Sequence, residues 1–539
     1  MNPTNHSRTC VGPDARFKVG VHAPHFTVNN LRAQDHITAL GHLNDGSPVE
    51  NQINFPPGDV QEPRADLIYE IPNAFPFRGT SFINTAWADA KAKEPESIRL
   101  PAPQPCSLSQ TLDQIKDKPW DKDEKKQLIT HLPAPLKRAL AQASTDPEEL
   151  VTLAQACCDL TLDPSGEIPL GMAHEKTESG HARPIIKEQD IFEILVNNPH
   201  LPDSYKEAMV LRPGIQGKSE ITGDYKSQDT HVFEYLRRNS YIPWGHFAAN
   251  MANDEIRYKA SELSLQDMRG IRHLYYQRIY ARMARELSIP LPGSRRPLTP
   301  EELESLRLKI TQAMAQGAVP RFNAALWGWN YGFGAAQSGH RLHASHQMIH
   351  QQNALVPRRV DTQDGQDMAT FSMGDLVYDF ATAFEQSHGQ PFFETYKRAI
   401  WNNVRTDGKP GESSLIIYED GDTMLFVPKA QVCEYELQLM APCPHVLAAD
   451  TAMRDRLDAG ILAAIKILDH LGAQMVTAIE MGGRFDQDKG GQHIVYSFIP
   501  RLPYAPPTFC EAQLRWICGC YPEDFARACR RAHGQQASH

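Results

Sequence analysis

Two stretches of this chain run through the same succession of elements, strand, strand, long helix, strand, strand, and that recurrence restricts the fold to a layered α+β arrangement. In the first, spanning about 221–357, a strand-like approach at 244–250 leads to a long amphipathic helix over 264–287. The helix opens with Ser264-Leu-Gln-Asp267, a capping box in which Asp replaces Glu or Gln. A Pro-rich insertion at 290–316 carries a second helix started by Thr299-Pro-Glu-Glu, and strands follow. In the second, strands are predicted at 414–418, 424–427 and 435–440, a helix over 450–471, then strands at 474–480 and 493–500. Two copies of one unit explain the order, and so does a single mixed domain whose elements happen to alternate.

The 539 residues are 41% hydrophobic and 22% charged, enough for a sizeable core in two to four structural units, which excludes disorder throughout. Acidic side chains outnumber basic ones, 65 to 55, for a formal charge of −10, so an extended surface for nucleic acid is not expected. The longest apolar run, 461–471, is broken by Lys466 and Asp469, and nothing approaches the roughly 20 uncharged residues of a membrane span. Residues 1–20 hold no apolar signal core, so the expected location is cytoplasmic. Ten cysteines lie scattered without a Cys-x-x-Cys, which reads as buried thiols; Cys518-Gly-Cys520 is the pair that could hold a metal or form a redox couple.

The first hundred residues read as loops and a few strands, and 107–160 turns helical, with Leu128, Ile129, Leu132, Leu136 and Leu140 at spacings of three and four. Together these form an N-terminal extension, 1–220, ahead of two halves at 221–360 and 361–539.

The densest chemistry lies in 327–350, where His340, His343, His346 and His350 fall within eleven residues. On one helical face they could ligate a metal, but Gly332, Gly334 and Gly339 disfavour a helix beginning before His340. As a glycine-containing loop entering a strand, the segment instead brings backbone amides close to an imidazole. Such amides can approach nonbridging phosphate oxygens, while a neutral imidazole can attack phosphorus and hold a nucleotidyl group covalently. With a pKa near 6.5, histidine is mostly neutral at cytoplasmic pH. The bland alternative is a set of imidazoles lining a polar cavity.

Asn330, Gly332, Ser338 and His343 reproduce the offsets of a motif in the histidine-triad superfamily, and the segment resembles its branch of galactose-1-phosphate uridylyltransferase and dinucleotide phosphorylases. The resemblance implies phosphate contacts from Asn330, Gly332 and Ser338 and attack by His343. Where the branch has His two residues before the nucleophile and Gln or His two after it, this chain has Arg341 and Ser345. Arg341 cannot ligate zinc, so no structural metal is expected there; it could neutralise phosphate charge, and Ser345 could donate to a nonbridging oxygen. In a shifted register His346 becomes the nucleophile, at the loss of the Asn and Ser offsets.

Later segments also resemble the branch: Ser414-Leu-Ile-Ile-Tyr-Glu, Met424-Leu-Phe-Val-Pro428, Glu434-Tyr-Glu-Leu-Gln-Leu-Met440, Pro444-His445, the strand after Gln492-His493, and the terminal helix from Pro522. The likeness thus covers about 221–531. It implies two histidine-triad-like units, each an antiparallel sheet with a long helix; His493, which alternates with apolar neighbours, could sit in the substrate cleft, and by itself reads first as a core or surface imidazole. The implied activity is a nucleotidyltransferase or phosphorylase acting on a nucleotide sugar or dinucleotide, with phosphate or sugar phosphate as acceptor, no cofactor, and a homodimer. A nucleotide hydrolase, or a nucleotide-binding protein that has lost turnover, would fit the same residues. Elsewhere, Lys218 and Arg484 are weaker candidates for phosphate contact, each reading first as a loop residue, and Trp327 and Trp329 read as strand packing.

Overall fold

The computed structural model describes residues 8–23, 26–28, 39–50, 60–62, 66–101, 105–115, 120–176, 178, 182–196, 198, 200–206, 208–209, 214–216, 219–221, 260–292, 296–332, 350–487, 491–502 and 508–536. The strands that carry its two main sheets are β1 (Gly20–His22), β2 (Ile68–Pro72), β3 (Thr80–Asn84), β4 (Phe322–Gly332), β5 (His350–Pro357), β6 (Ile416–Asp420), β7 (Thr423–Phe426), β8 (Leu437–Ala441), β9 (Met475–Met481), β10 (Ile494–Pro500) and β11 (Arg515–Cys518). The helices used below are α1 (Thr85–Lys93), α2 (Lys122–His131), α3 (Ala134–Ala143), α4 (Pro147–Cys157), α5 (Gln189–Val196), α6 (Leu265–Glu286), α7 (Pro300–Ala315), α8 (Met373–His388), α9 (Phe392–Trp401), α10 (Thr451–His470) and α11 (Pro522–Gln536).

Mixed α+β architecture is what the recurrence predicts, and the long helices α6 and α10 fall within a residue of their expected bounds. Each has a local cause. Ser264 Oγ accepts from the Asp267 amide while Asp267 Oδ2 accepts from the Ser264 amide, so Asp completes the box; Thr299 and Glu302 do the same for α7, and Asp450 caps α10. Along α10, Leu457, Ile461, Ala464, Ile465 and Leu468 form one buried stripe. Gly460 belongs to that face because a methyl there would lie 2.7 Å from Leu439 Cδ1, so its absence lets the helix settle onto β8.

Seven strands form one antiparallel sheet in the order β5-β4-β9-β10-β8-β7-β6. Strands of both sequence stretches share it, joined by β4 and β9, which pair Gly328 with Ile479, Asn330 with Thr477 and Gly332 with Met475. Helices α6 and α10 cover one face. Its core includes Trp327, Trp329, Tyr331, Val476, Ala478, Tyr496 and Leu439, so the two tryptophans are packing residues, as expected. The fully buried Arg272 pins this layer: its Nε donates to Asp458 Oδ1 (3.2 Å), its Nη2 donates to Tyr496 Oη (2.8 Å), and its Cζ lies 4.5 Å from the Trp327 ring centroid.

The opposite face is covered by α8 and α9, which the sequence reading does not place. Phe384, Phe392, Phe393 and Tyr396 pack there with Met424, Phe426, Met440, Met481 and Val495, and with Ile71 and Phe75 of the N-terminal segment. A second sheet, β1-β2-β3-β11, joins the two ends of the chain, with β11 parallel to β3. The helical section expected at 107–160 is present as α2, α3 and α4, preceded by a short helix, Leu108–Asp113. The expected strand at 244–250 lies outside the described residues. No described helix is long and apolar enough to cross a membrane.

Candidate active site at the Asn330 end of the sheet

Side chains alternate along β4, so Ala325, Trp327, Trp329 and Tyr331 enter the helix-side core while Gly328 and Asn330 look out on the other face. Asn330 is half-buried, and its Oδ1 accepts a hydrogen bond from Thr477 Oγ1 (2.8 Å) on β9. That bond orients the amide. The carbonyl end is held toward β9, and the Nδ2 donor is turned the other way. Gly332 ends β4 opposite Met475. Residues 333–349 join this end of β4 to His350 at the start of β5, and Ser338, Arg341, His343, Ser345 and His346 all lie in that segment, outside the described residues. For His350 only its place in β5 is described.

Farther across the same face, Ile479 pairs with Ser497 and Ser497 with Gln438. Ser497 Oγ donates to Glu436 Oε1 (2.6 Å) and Gln438 Nε2 donates to the same oxygen (3.1 Å). The cation that answers Glu436 comes from the other end of the chain. A short turn, Pro76–Arg78, places Arg78 Nη1 2.9 Å from Glu436 Oε1, and Arg78 Nη2 donates to Ser497 Oγ (3.0 Å). Arg78, Glu436, Gln438 and Ser497 are all buried. Sequence reasoning missed them, and Thr477, because Arg78 and Ser497 are separated by 419 positions and no spacing rule links them.

His493 is placed elsewhere. It precedes β10 at the end away from Asn330: Thr477 pairs with Ile499, six residues along the strand, or about 20 Å. Its ring stacks on Phe393 at 4.8 Å, its Nδ1 lies 2.9 Å from the Gly491 carbonyl oxygen, and burial lowers its pKa. Among the described residues it therefore shares no cleft with Asn330 and Gly332. Arg484 is likewise not a free loop cation. It is 3% exposed, with Nε and Nη2 donating to the two oxygens of Asp375 (2.6 and 2.7 Å) and Nη1 to Asn323 Oδ1 (2.7 Å). Lys218 lies outside the described residues.

The thiols of Cys518 and Cys520 are buried, and burial raises both pKa values far above those of ordinary thiols. Among the described residues no group of three His, Cys, Asp or Glu side chains is arranged to hold a metal ion. A surface groove of about 480 Å³, lined by α7 and Thr451, belongs to a different part of the molecule from Asn330.

No family model and no curated protein matches this chain. Among solved structures it is similar to a GalT-like protein from Arabidopsis thaliana (13% identity over 43% of this chain and 69% of that one, TM-score 0.30). It is also similar to an ADP-glucose phosphorylase from Arabidopsis thaliana with bound ADP-glucose (13% identity, 52% and 71% covered, TM-score 0.34). A uridylyltransferase structure matches with 12% identity, 44% and 69% covered, and a TM-score of 0.31. At TM-scores this low, the likeness assigns neither an activity nor a residue role to this chain.

Proposed function

We propose that this chain moves a nucleoside monophosphate by double displacement, with His343 as the nucleophile. One observation carries the reading: the segment holding the Asn330, Gly332, Ser338, His343 offsets is the connection between two neighbouring strands, and its anchor Asn330, half-buried, is fixed by the half-buried Thr477. An imidazole nitrogen forms a bond to the α-phosphorus of a nucleotide sugar or dinucleotide, and the bond from that phosphorus to the departing phosphate or sugar phosphate breaks. A phosphate oxygen of the acceptor then attacks the same phosphorus and releases the histidine. Loop amides, Ser338 and Ser345, with Arg341 as a fixed cation, would meet the charge on the equatorial oxygens. No step calls for a resident metal or cofactor.

The two-unit reading belongs to this proposal. With α7 as an insertion after α6, the order α6-β4-β5 matches α10-β9-β10, and β4 and β9 pair antiparallel with β5 and β10 next to them on either side, the arrangement a local two-fold would produce. The loop before β10 that carries His493 then stands at the opposite end of the sheet from 333–349.

Intact-mass analysis after exposure to a panel of nucleoside diphosphate sugars, ADP-glucose among them, and dinucleotides tests the chemistry. An acid-labile gain of one nucleotide is expected, abolished by His343→Ala, retained by His346→Ala, and formed about tenfold more slowly by Thr477→Val, which releases the Asn330 amide. Saturable nucleotide binding with no adduct, or an adduct lost only with His346, overturns it.

A further inference from the structure

Helices α6 and α10 meet the sheet around a buried group of one cation and two acids. Arg272 on α6, Asp458 on α10 and Glu480 on β9 have side chains no more than 5% exposed. Four rings, those of Tyr275, Tyr276, Trp327 and Tyr496, enclose the guanidinium with centroids 5.0, 4.9, 4.5 and 5.2 Å from its Cζ. With both acids ionised the group carries a charge of −1, and an unmatched charge is strongly penalised in such an interior. Neighbouring cations are engaged elsewhere. Arg454 and Arg307 share Glu304 at the partly exposed rim (2.9 and 2.7 Å), and Arg269 pairs with Asp455 at the surface (3.3 Å).

Hydrogen bonds distinguish the two acids. Glu480 accepts on both oxygens, from Tyr275 Oη at Oε1 (2.9 Å) and Tyr496 Oη at Oε2 (2.6 Å), as an ionised carboxylate does. Asp458 accepts on Oδ1 alone, from Arg272 Nε (3.2 Å) and Tyr276 Oη (3.1 Å), and among the described residues no donor is bonded to its Oδ2. That oxygen is free to carry its own O–H. Burial pushes the Asp458 carboxyl up to about 7, with Arg272 opposing, and raises Glu480 too. The described titratable groups that face the two acids are Arg272, Tyr275 and Tyr276 from α6, Asp455 from the preceding turn of α10, Tyr496 from β10, and Cys443 from the turn after β8.

We propose that Asp458 holds a proton on Oδ2, and that releasing this proton to water loosens α6 and α10 from the sheet, so the three elements form a proton-operated clasp. With the proton in place, Arg272 and Glu480 are a matched pair and Asp458 is a neutral acceptor. Without it, two carboxylates compete for one guanidinium whose Nη2 already serves Tyr276 and Tyr496. The change reaches β4, the strand of Asn330, because Arg272 lies on Trp327. Unfolded aspartate gives up its proton near pH 4, about three pH units before the folded residue. The clasp's contribution to stability is therefore full in acid and is lost as pH rises from about 4 to 7. None of this depends on the nucleotide chemistry.

Urea titrations of the full chain across pH test it, with Asp458→Asn as the reference that carries no titratable group at this place. The unfolding equilibrium constant of the wild type, divided by that of Asp458→Asn, should rise about tenfold per pH unit between roughly pH 4.5 and 6.5 and level off above about 7.5. Hydrogen exchange reads the loosening: between pH 6 and 8 the protection factors of α6 and α10 amides should fall about tenfold further in the wild type than in Asp458→Asn. Carbon-13 NMR of the wild type labelled at aspartate carboxyls needs no variant, and the Asp458 signal should titrate near pH 7. Parallel pH profiles for the two proteins, an Asp458 signal that titrates near pH 4, or equal loss of protection in both overturns the proposal.

Discussion

His445 is 4% exposed in the turn before α10, where its Nδ1 accepts from the Ala448 amide and its Nε2, which therefore carries the proton, has no hydrogen-bond partner among the described residues. Burial lowers its pKa to about 4, with Asp486 opposing the shift. For a base whose folded pKa is depressed, the neutral form costs nothing above the unfolded value near 6.5, and stability is lost as pH falls from there toward the folded value. Compared with His445→Asn, which keeps a capping acceptor, the wild-type advantage should shrink by about 3 kcal/mol between pH 6.5 and 4. Urea titrations of both proteins at several pH values measure this, and a constant gap would refute it. At this scale the sequence was partly readable. Trp327 and Trp329 read as strand packing, and they pack; Arg484 read as a loop cation because nothing local announces Asp375 or Asn323 as its partners.

Among the elements, α8 is the one whose start is most tightly constrained. Ser372 and Asp375 form its capping box, and Gly374 inside that first turn has no room for a methyl, which would lie 1.7 Å from the Gly482 carbonyl oxygen. Since the obstacle is backbone, the strain cannot be relieved by a rotamer change. Gly374→Ala should therefore cost about 1–3 kcal/mol, read as a lower urea midpoint at unchanged slope; a neutral result would mean that the α8 contact with 482–484 yields easily. The same box was present in the sequence, with Val377, Ala381 and Phe384 behind it, so α8 was legible there but not read. By contrast β11, four residues long and exposed at Arg515 and Ile517, exists because β3 lies beside it, and its own residues give little warning.

For the molecule as a whole, the Arg78–Glu436 pair ties the N-terminal segment to the face of the large sheet, with both side chains nearly or fully buried. Arg78→Met would leave a carboxylate buried without its cation, and a loss of about 3–5 kcal/mol is expected in equilibrium unfolding. Adding Glu436→Gln should recover part of it, and a double variant no better than the single one would show that the two charges are not coupled. The helix periods, capping boxes and strand alternations of α6, α7, α10 and β4 were set by residues within a few positions of one another, so the chain determined them unaided. Strand order, the adjacency of β4 and β9, the covering of the second face by α8 and α9, and the delivery of Arg78 to Ser497 were decided only in three dimensions. Their free energy comes from burial and pairing between segments tens to hundreds of residues apart, and no local pattern encodes which distant surface a face will meet.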